Sequence, residues 1–200
     1  MTLPDWKAED YFVDFEPIYF EGHIVDAPLI RKTGWIVQNL HDVIFPDAIK
    51  ALANGGELSS LLLSFSIVEY LAGYFAGKNS QAKDFKAFMY RYFPEQYRPY
   101  LNDIYSQLRN GLIHNLSIVN PWIPHKFSFF IEKRSDLHLQ KLEDKVIFSI
   151  FHFLEDGRRA MIMYLYDIIM KPKENPDLVI NFEARFNKKD GAASMIAKTD

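Results

Sequence analysis

Residues 58–75 read LSSLLLSFSIVEYLAGYF. The run is apolar on nearly every side, and past Glu57 its only charged residue is Glu69. A helix without a polar face is stable only when neighbours surround it, so the stretch predicts the central helix of a bundle. Asn54-Gly55-Gly56 breaks the chain before it, and residues 77–80 break it after.

Working outward from that helix, the same 3.6-residue period recurs. Pro28 suits a helical first turn, and Trp35, Ile36, Leu40, Val43 and Ile44 space a helix over 30–52 that Pro46 should kink. Residues 83–92 make a shorter helix. Pro94 and Pro99 open another over 95–118, with Tyr97, Leu101, Ile104, Tyr105, Leu108, Leu112 and Leu116 as its apolar stripe; Pro121 and Pro124 end it. Residues 146–170 form the last long helix.

Strand signals are sparse. Residues 127–133 and 137–140 pair as a hairpin in this reading. Ile180, Phe182, Ala184 and Phe186 alternate with Asn181, Glu183 and Arg185, which predicts a half-buried strand over 178–186. Its partner would be the aromatic N-terminal arm over 11–20, where Pro17 points to an edge strand. The expected fold is mainly α, a bundle of about five helices with a small β element, in one domain over 1–200. The helical core covers 24–171, flanked by arms over 1–23 and 172–200, and the last residues, 188–200, read as a mobile tail.

Composition narrows the function classes. Two hundred residues, 48% hydrophobic and 16% aromatic, allow a large core or a core plus an oligomer interface. A net charge of -3 excludes a broad basic coat for nucleic acid and leaves room for a local basic cleft. With no cysteine there is no disulfide, no thiolate catalysis and no Cys-ligated zinc. The opening MTLPDWKAED is not a signal peptide, and the apolar runs 61–68 and 146–154 fall short of a membrane span. No membrane is therefore expected, and the cytoplasm is the expected compartment.

The chemistry concentrates in LRNGLIHNL, residues 108–116. Arg109 and His114 on a rigid helix can split an RNA phosphodiester without a metal. The histidine moves protons as general acid/base, and the arginine stabilises charge on the phosphate. Asn110 follows the arginine as an orienting residue. At about 100° per residue, positions 109 and 114 lie roughly 140° apart round the axis. One helix alone is then a poor site, whereas two copies about a two-fold axis bring both pairs to one phosphate. Gly111 would let the copies approach closely. His114 lies near the helix C-terminus, where the dipole favours imidazolium.

Arg109-Asn110-Gly111-Leu112-Ile113-His114 resembles the R-x4-6-H motif of the HEPN family of helical ribonucleases and toxins, which often has a polar residue after the arginine. The resemblance covers roughly residues 57–170: an apolar helix bearing Glu69, the motif helix and a long final helix. It implies a homodimeric, metal-independent endoribonuclease acting on single-stranded RNA through the 2'-hydroxyl, in toxin or phage-defence biology, with no cofactor. The family also contains inactive structural members, so a non-catalytic dimerisation or interaction module is the alternative. Toxins modified by a partner nucleotidyltransferase carry Tyr two places after the histidine. Here that residue is Leu116, which argues against an antitoxin of that type.

Structural roles compete for each of these residues. Arg109 pairs with Asp103 or Glu69, and His114 caps helix-end carbonyls. Glu69, on an apolar helix, needs a partner: it orients Arg109, or it makes a structural bond to a neighbouring helix. His23, His41, His125, His138 and His152 form no metal-ligand spacing, and His152 reads as a satisfied core histidine. Asp156-Gly157-Arg158-Arg159 reads as a solvated patch ahead of a phosphate contact. No Gly-rich phosphate loop, nucleophile elbow or dinucleotide fingerprint is present.

Overall fold

The computed structural model describes residues 27–115 and 128–196. The fold is mainly α with one small sheet. In chain order the elements are α1 (Ala27–Asn39), a π-helical turn (Leu40–Ile44), α2 (Phe45–Ala53), α3 (Glu57–Ala76), α4 (Ala82–Tyr92) and a 3-10 turn (Glu95–Tyr100). Then come α5 (Leu101–Asp103), a second π-helical turn (Ile104–Arg109), α6 (Asn110–Asn115), β1 (Ser128–Glu132), β2 (Lys141–Leu142), β3 (Lys145–Ser149), α7 (Ile150–Met170) and α8 (Pro176–Ile196).

The apolar run is the central helix, α3, and it packs against α2, α4, α7 and α8. Residues on every side of it are buried, from Leu61 and Phe65 to Val68, Leu71 and Tyr74. Its two buried serines differ in how they are met: Ser64 Oγ donates to the Ser60 carbonyl at 2.7 Å, whereas Ser60 Oγ has no hydrogen-bond partner. Gly77 ends the helix with φ at +71°, and the amides of Gly77 and Lys78 turn back onto the carbonyls of Tyr74 and Gly73. That is a Schellman cap, which needs the left-handed conformation glycine adopts without strain. As a continuous helix of 20 residues, α3 is long and apolar enough to cross a membrane, which the shorter run 61–68 did not disclose; 56% of its apolar window is buried inside the fold. Phe65 anchors the centre, its ring centroid 4.9 Å from Phe153 of α7 and 6.3 Å from Phe85 of α4.

The break expected at Pro46 is a π-helical turn immediately before it, in which the Phe45 amide reaches back five residues to the Leu40 carbonyl. Proline cannot donate its own helical bond, and its ring crowds the carbonyl four residues back, so the wider turn absorbs the misfit. The helix expected over 95–118 starts as a 3-10 turn, becomes α, widens to π over Ile104–Arg109 and returns to α. Residues 11–20, Pro121, Pro124 and the hairpin's first residue, Phe127, lie outside the described residues.

Three expectations are corrected. The hairpin is not between 127–133 and 137–140. β2 pairs antiparallel with β3, and β1 runs parallel to β3, giving the order β1-β3-β2. Residues 146–149 are not helical: Val146, Ile147 and Phe148 are all buried as the middle strand, a continuous apolar run that periodicity cannot separate from a helix. Finally, 178–186 is not a strand but part of a helix, α8, that runs to Ile196. α8 opens with Pro176 and Asp177, a proline and an acid suited to a first turn. Leu178, Phe182 and Arg185 point inward at helical spacing, and Ile180, on the same face as Phe182 in the strand reading, is 64% exposed.

Candidate functional site

The π-helical turn ends at Arg109 and presents its side chain to the flank of α3. There Arg109 Nη2 donates to Glu69 Oε1 at 2.6 Å, and Nη1 donates to the side-chain oxygen of the next residue, Asn110, at 2.8 Å. The guanidinium carbon lies 5.3 Å from the centroid of the Tyr105 ring. The Arg109 and Glu69 side chains keep 17% and 22% of their surface, so the pair is shielded from bulk solvent yet not sealed. A charge-assisted bond of this length in such a setting fixes the arginine's orientation and balances its charge. Nε is buried without a hydrogen-bond partner. Asp103, the other partner considered for Arg109, instead accepts a bond from Gln107 at 3.1 Å.

Three of the four sequence-selected residues, Glu69, Arg109 and Asn110, thus form one cluster. His114 belongs to α6 by its backbone; its side chain lies outside the described residues. Gly111, one turn before the end of α6, is buried.

A second constellation escaped the sequence. It joins the 3-10 turn, the segment before β2, and the first two turns of α7. Tyr97 donates its hydroxyl proton to Asp156 Oδ2 at 2.8 Å, and the Tyr97 hydroxyl oxygen lies 2.7 Å from His138 Nε2. His138 Nδ1 accepts the Ser149 amide at 2.9 Å. These contacts assign the proton to Nε2, so the relay runs from His138 through Tyr97 to Asp156. Burial holds His138 down to a pKa of about 3, with nearby His152 adding to the effect. Burial likewise raises Asp156, against the opposing Tyr97 hydrogen bond and the Arg159 charge. It raises the Tyr97 hydroxyl, and the Asp156 charge reinforces that shift.

His152 stacks on His138 with centroids 5.6 Å apart and approaches Ser149 Oγ at 2.9 Å through Nδ1. Ser149, His152 and Asp156 bring to mind a nucleophilic triad by residue type, but Ser149 is fully buried and its oxygen accepts the amides of Ser135 and His152. It is the N-cap of α7 and not a nucleophile. His152 is half-buried, and its Nδ1 is engaged. The expectation of a solvated Asp156-Gly157-Arg158-Arg159 patch is corrected: Asp156 and Gly157 are buried, the Arg158 side chain is 14% exposed beside Glu155 at 3.6 Å, and only Arg159 faces solvent. The relay draws Tyr97, His138 and Asp156 from three separate elements, so no local spacing announced it.

Among the described residues, no three His, Asp or Glu side chains are placed to hold a metal ion. No protein family, curated protein or solved structure matches the chain.

Proposed function

We propose that the chain is a HEPN-like, metal-independent endoribonuclease that acts on single-stranded RNA as a homodimer in the cytoplasm, in toxin or phage-defence biology. The observation that carries this reading is the clamp on Arg109. Glu69 and Asn110 hold its guanidinium at the end of a π-helical turn, on the helical run that also bears His114. π-helical turns recur at functional sites, because one extra residue in the turn re-aims a side chain.

In the proposed reaction the RNA 2'-oxygen attacks the adjacent phosphorus and the bond to the 5'-oxygen breaks. The products are a 2',3'-cyclic phosphate and a 5'-hydroxyl. Arg109 faces the charge that builds on the non-bridging oxygens, and Asn110 keeps the guanidinium in plane. One His114 takes the 2'-proton, and the histidine of the second copy protonates the leaving oxygen. Two copies are needed because positions five apart on a helix diverge by roughly 140°.

The test is cleavage of a single-stranded RNA pool in EDTA, with the DNA of the same sequence as control. RNA is cut and DNA, lacking the 2'-hydroxyl, is not. His114→Ala and Arg109→Ala each lower the rate by about 10²–10⁴-fold while the protein stays folded. Intact RNA after prolonged incubation with wild-type dimer overturns the proposal.

A second reading is favoured by the same clamp: Glu69 neutralises Arg109, which suits a non-catalytic helical dimerisation module whose arginine is structural. In that case Arg109→Ala loosens the fold and the wild type has no RNA activity to lose.

A further inference from the structure

The C-terminal end of α3, α4 and the start of α8 line a concavity of about 470 Å³, and none of the lining residues is one assigned above to RNA chemistry. The volume falls within the usual range for small-molecule sites, about 300–1,000 Å³. Its floor is apolar, formed by Phe75, Pro176 and Leu178.

The polar groups around that floor are held by bonds to the protein. Arg91 donates Nη2 to Asp167 at 3.1 Å and to Asn175 at 2.7 Å, and its guanidinium lies 5.3 Å from the Tyr92 ring centroid. Asp84 is pinned by the capping box of α4, where one carboxylate oxygen accepts the Gln81 amide at 3.1 Å. Asn181 donates to the Phe75 carbonyl at 3.0 Å. Groups fixed by the protein yet bordering open space lose little freedom when they meet a ligand, which is how a preformed site gains affinity.

The signs of the charges select the ligand. Arg91 and Lys78 are cationic, with Asp167 pairing Arg91 at 3.1 Å, whereas Asp84, Glu174 and Asp177 are anionic, and Lys78 reaches Asp84 only at 3.9 Å. Three carboxylates disfavour a simple phosphate, and a simple amine leaves the donors of Arg91 and Lys78 without an acceptor on the ligand. A molecule with both charges and an apolar body satisfies all three surfaces.

We propose that this concavity binds a free α-amino acid with an apolar side chain. Its carboxylate meets Arg91 and Lys78, its ammonium meets Asp84 and Asp177, and its side chain covers Phe75 and Leu178. The site does not depend on the ribonuclease reading.

The experiment titrates the ¹⁵N-labelled full chain with three probes of one shape: L-phenylalanine, phenethylamine, which lacks the carboxylate, and 3-phenylpropionate, which lacks the amine. L-phenylalanine gives saturable amide shifts at the end of α3, in α4 and at the start of α8, with a Kd of millimolar or tighter. The other two bind at least about tenfold more weakly, the usual cost of losing one charge-assisted partner. Because Arg91 also braces Asp167, the exposed Asp177→Asn serves beside Arg91→Gln, and each weakens L-phenylalanine about tenfold. Three results overturn the proposal: no saturable shift at about 10 mM of any probe, a one-charge probe binding as tightly as the amino acid, or Asp177→Asn and Arg91→Gln both binding like wild type.

Discussion

Replacing His138 with glutamine removes the most strongly perturbed histidine among the described residues, and the consequence is a change in how stability depends on pH. His138 is 7% exposed, and its Nδ1 accepts the Ser149 amide, so adding a proton there sets two N–H groups against each other. The folded protein therefore keeps the ring neutral down to about pH 3, against an ordinary value of 6.5. Between those values the unfolded chain binds a proton that the folded chain refuses, so stability falls as pH falls from 6.5 towards 3. The full shift, 6.5 minus about 3, is worth about 5 kcal/mol at about 1.4 kcal/mol per unit. Of this, about 2 kcal/mol is lost between about pH 7 and pH 5. Asp156 acts in the opposite sense: its pKa is raised on folding, so it favours the folded state as pH falls through that raised value. Its contribution is common to both proteins and largely cancels in the comparison. Urea unfolding of wild type and His138→Gln at the two pH values measures the difference. The variant is less stable at about pH 7, because the Ser149 amide loses its acceptor, and the gap narrows by about 2 kcal/mol at about pH 5. A gap that is unchanged between the two pH values refutes the neutral, buried imidazole.

The remaining predictions concern α8, the α3 cap and the arginine clamp. Phe182→Ala costs about 3–5 kcal/mol in thermal or urea unfolding, whereas Ile180→Ala stays within about 0.5 kcal/mol, because the helix separates two positions that a strand would place on one face. Gly77→Ala destabilises by about 1–3 kcal/mol: its Cβ would lie 2.9 Å from Asn181 Oδ1 and 3.1 Å from Asn181 Cα, at a positive φ. A double-mutant cycle on Glu69→Gln and Arg109→Lys gives a coupling of about 1–3 kcal/mol at low salt, and a coupling near zero would mean that the 2.6 Å contact does not persist in solution.

The sequence was most readable where one periodicity had no rival. Residues 58–75 admit only a surrounded helix, and α3 is that helix. Glu69, as the lone charge past Glu57, had to find a partner, and Arg109 supplies one. Reading failed where two periods fit the same residues. Over 178–186 the alternation of Ile180, Phe182, Ala184 and Phe186 coexists with the i,i+4,i+7 set Leu178, Phe182 and Arg185. The inward face closed on the second set because a buried arginine finds Asn79 there as an acceptor. At 146–149 a run buried on both faces carries no period at all. The relay of Tyr97, His138 and Asp156 is a tertiary product. Its members are 41 and 18 residues apart, and only the packing of the 3-10 turn and the segment before β2 against α7 brings them together.

The clamp also limits what Arg109 can offer a phosphate. A guanidinium has five N–H donors. One is taken by Glu69, one by Asn110, and the Nε–H is buried without a partner. Among the described residues the two others, one on each terminal nitrogen, meet no acceptor, and these are what the arginine has to offer phosphate oxygens. The positive charge that would draw the phosphate in is already balanced by Glu69, so in the proposed ribonuclease long-range attraction has to come from elsewhere on a chain of net charge -3. A clamped arginine therefore gains little from ground-state binding. It becomes useful when extra negative charge develops on the phosphate, because its donors are already in place and need no reorganisation. That division separates the two readings of the site. A structural arginine shows its worth in folding alone, whereas a catalytic one shows a loss of rate on substitution that far exceeds any loss of RNA affinity.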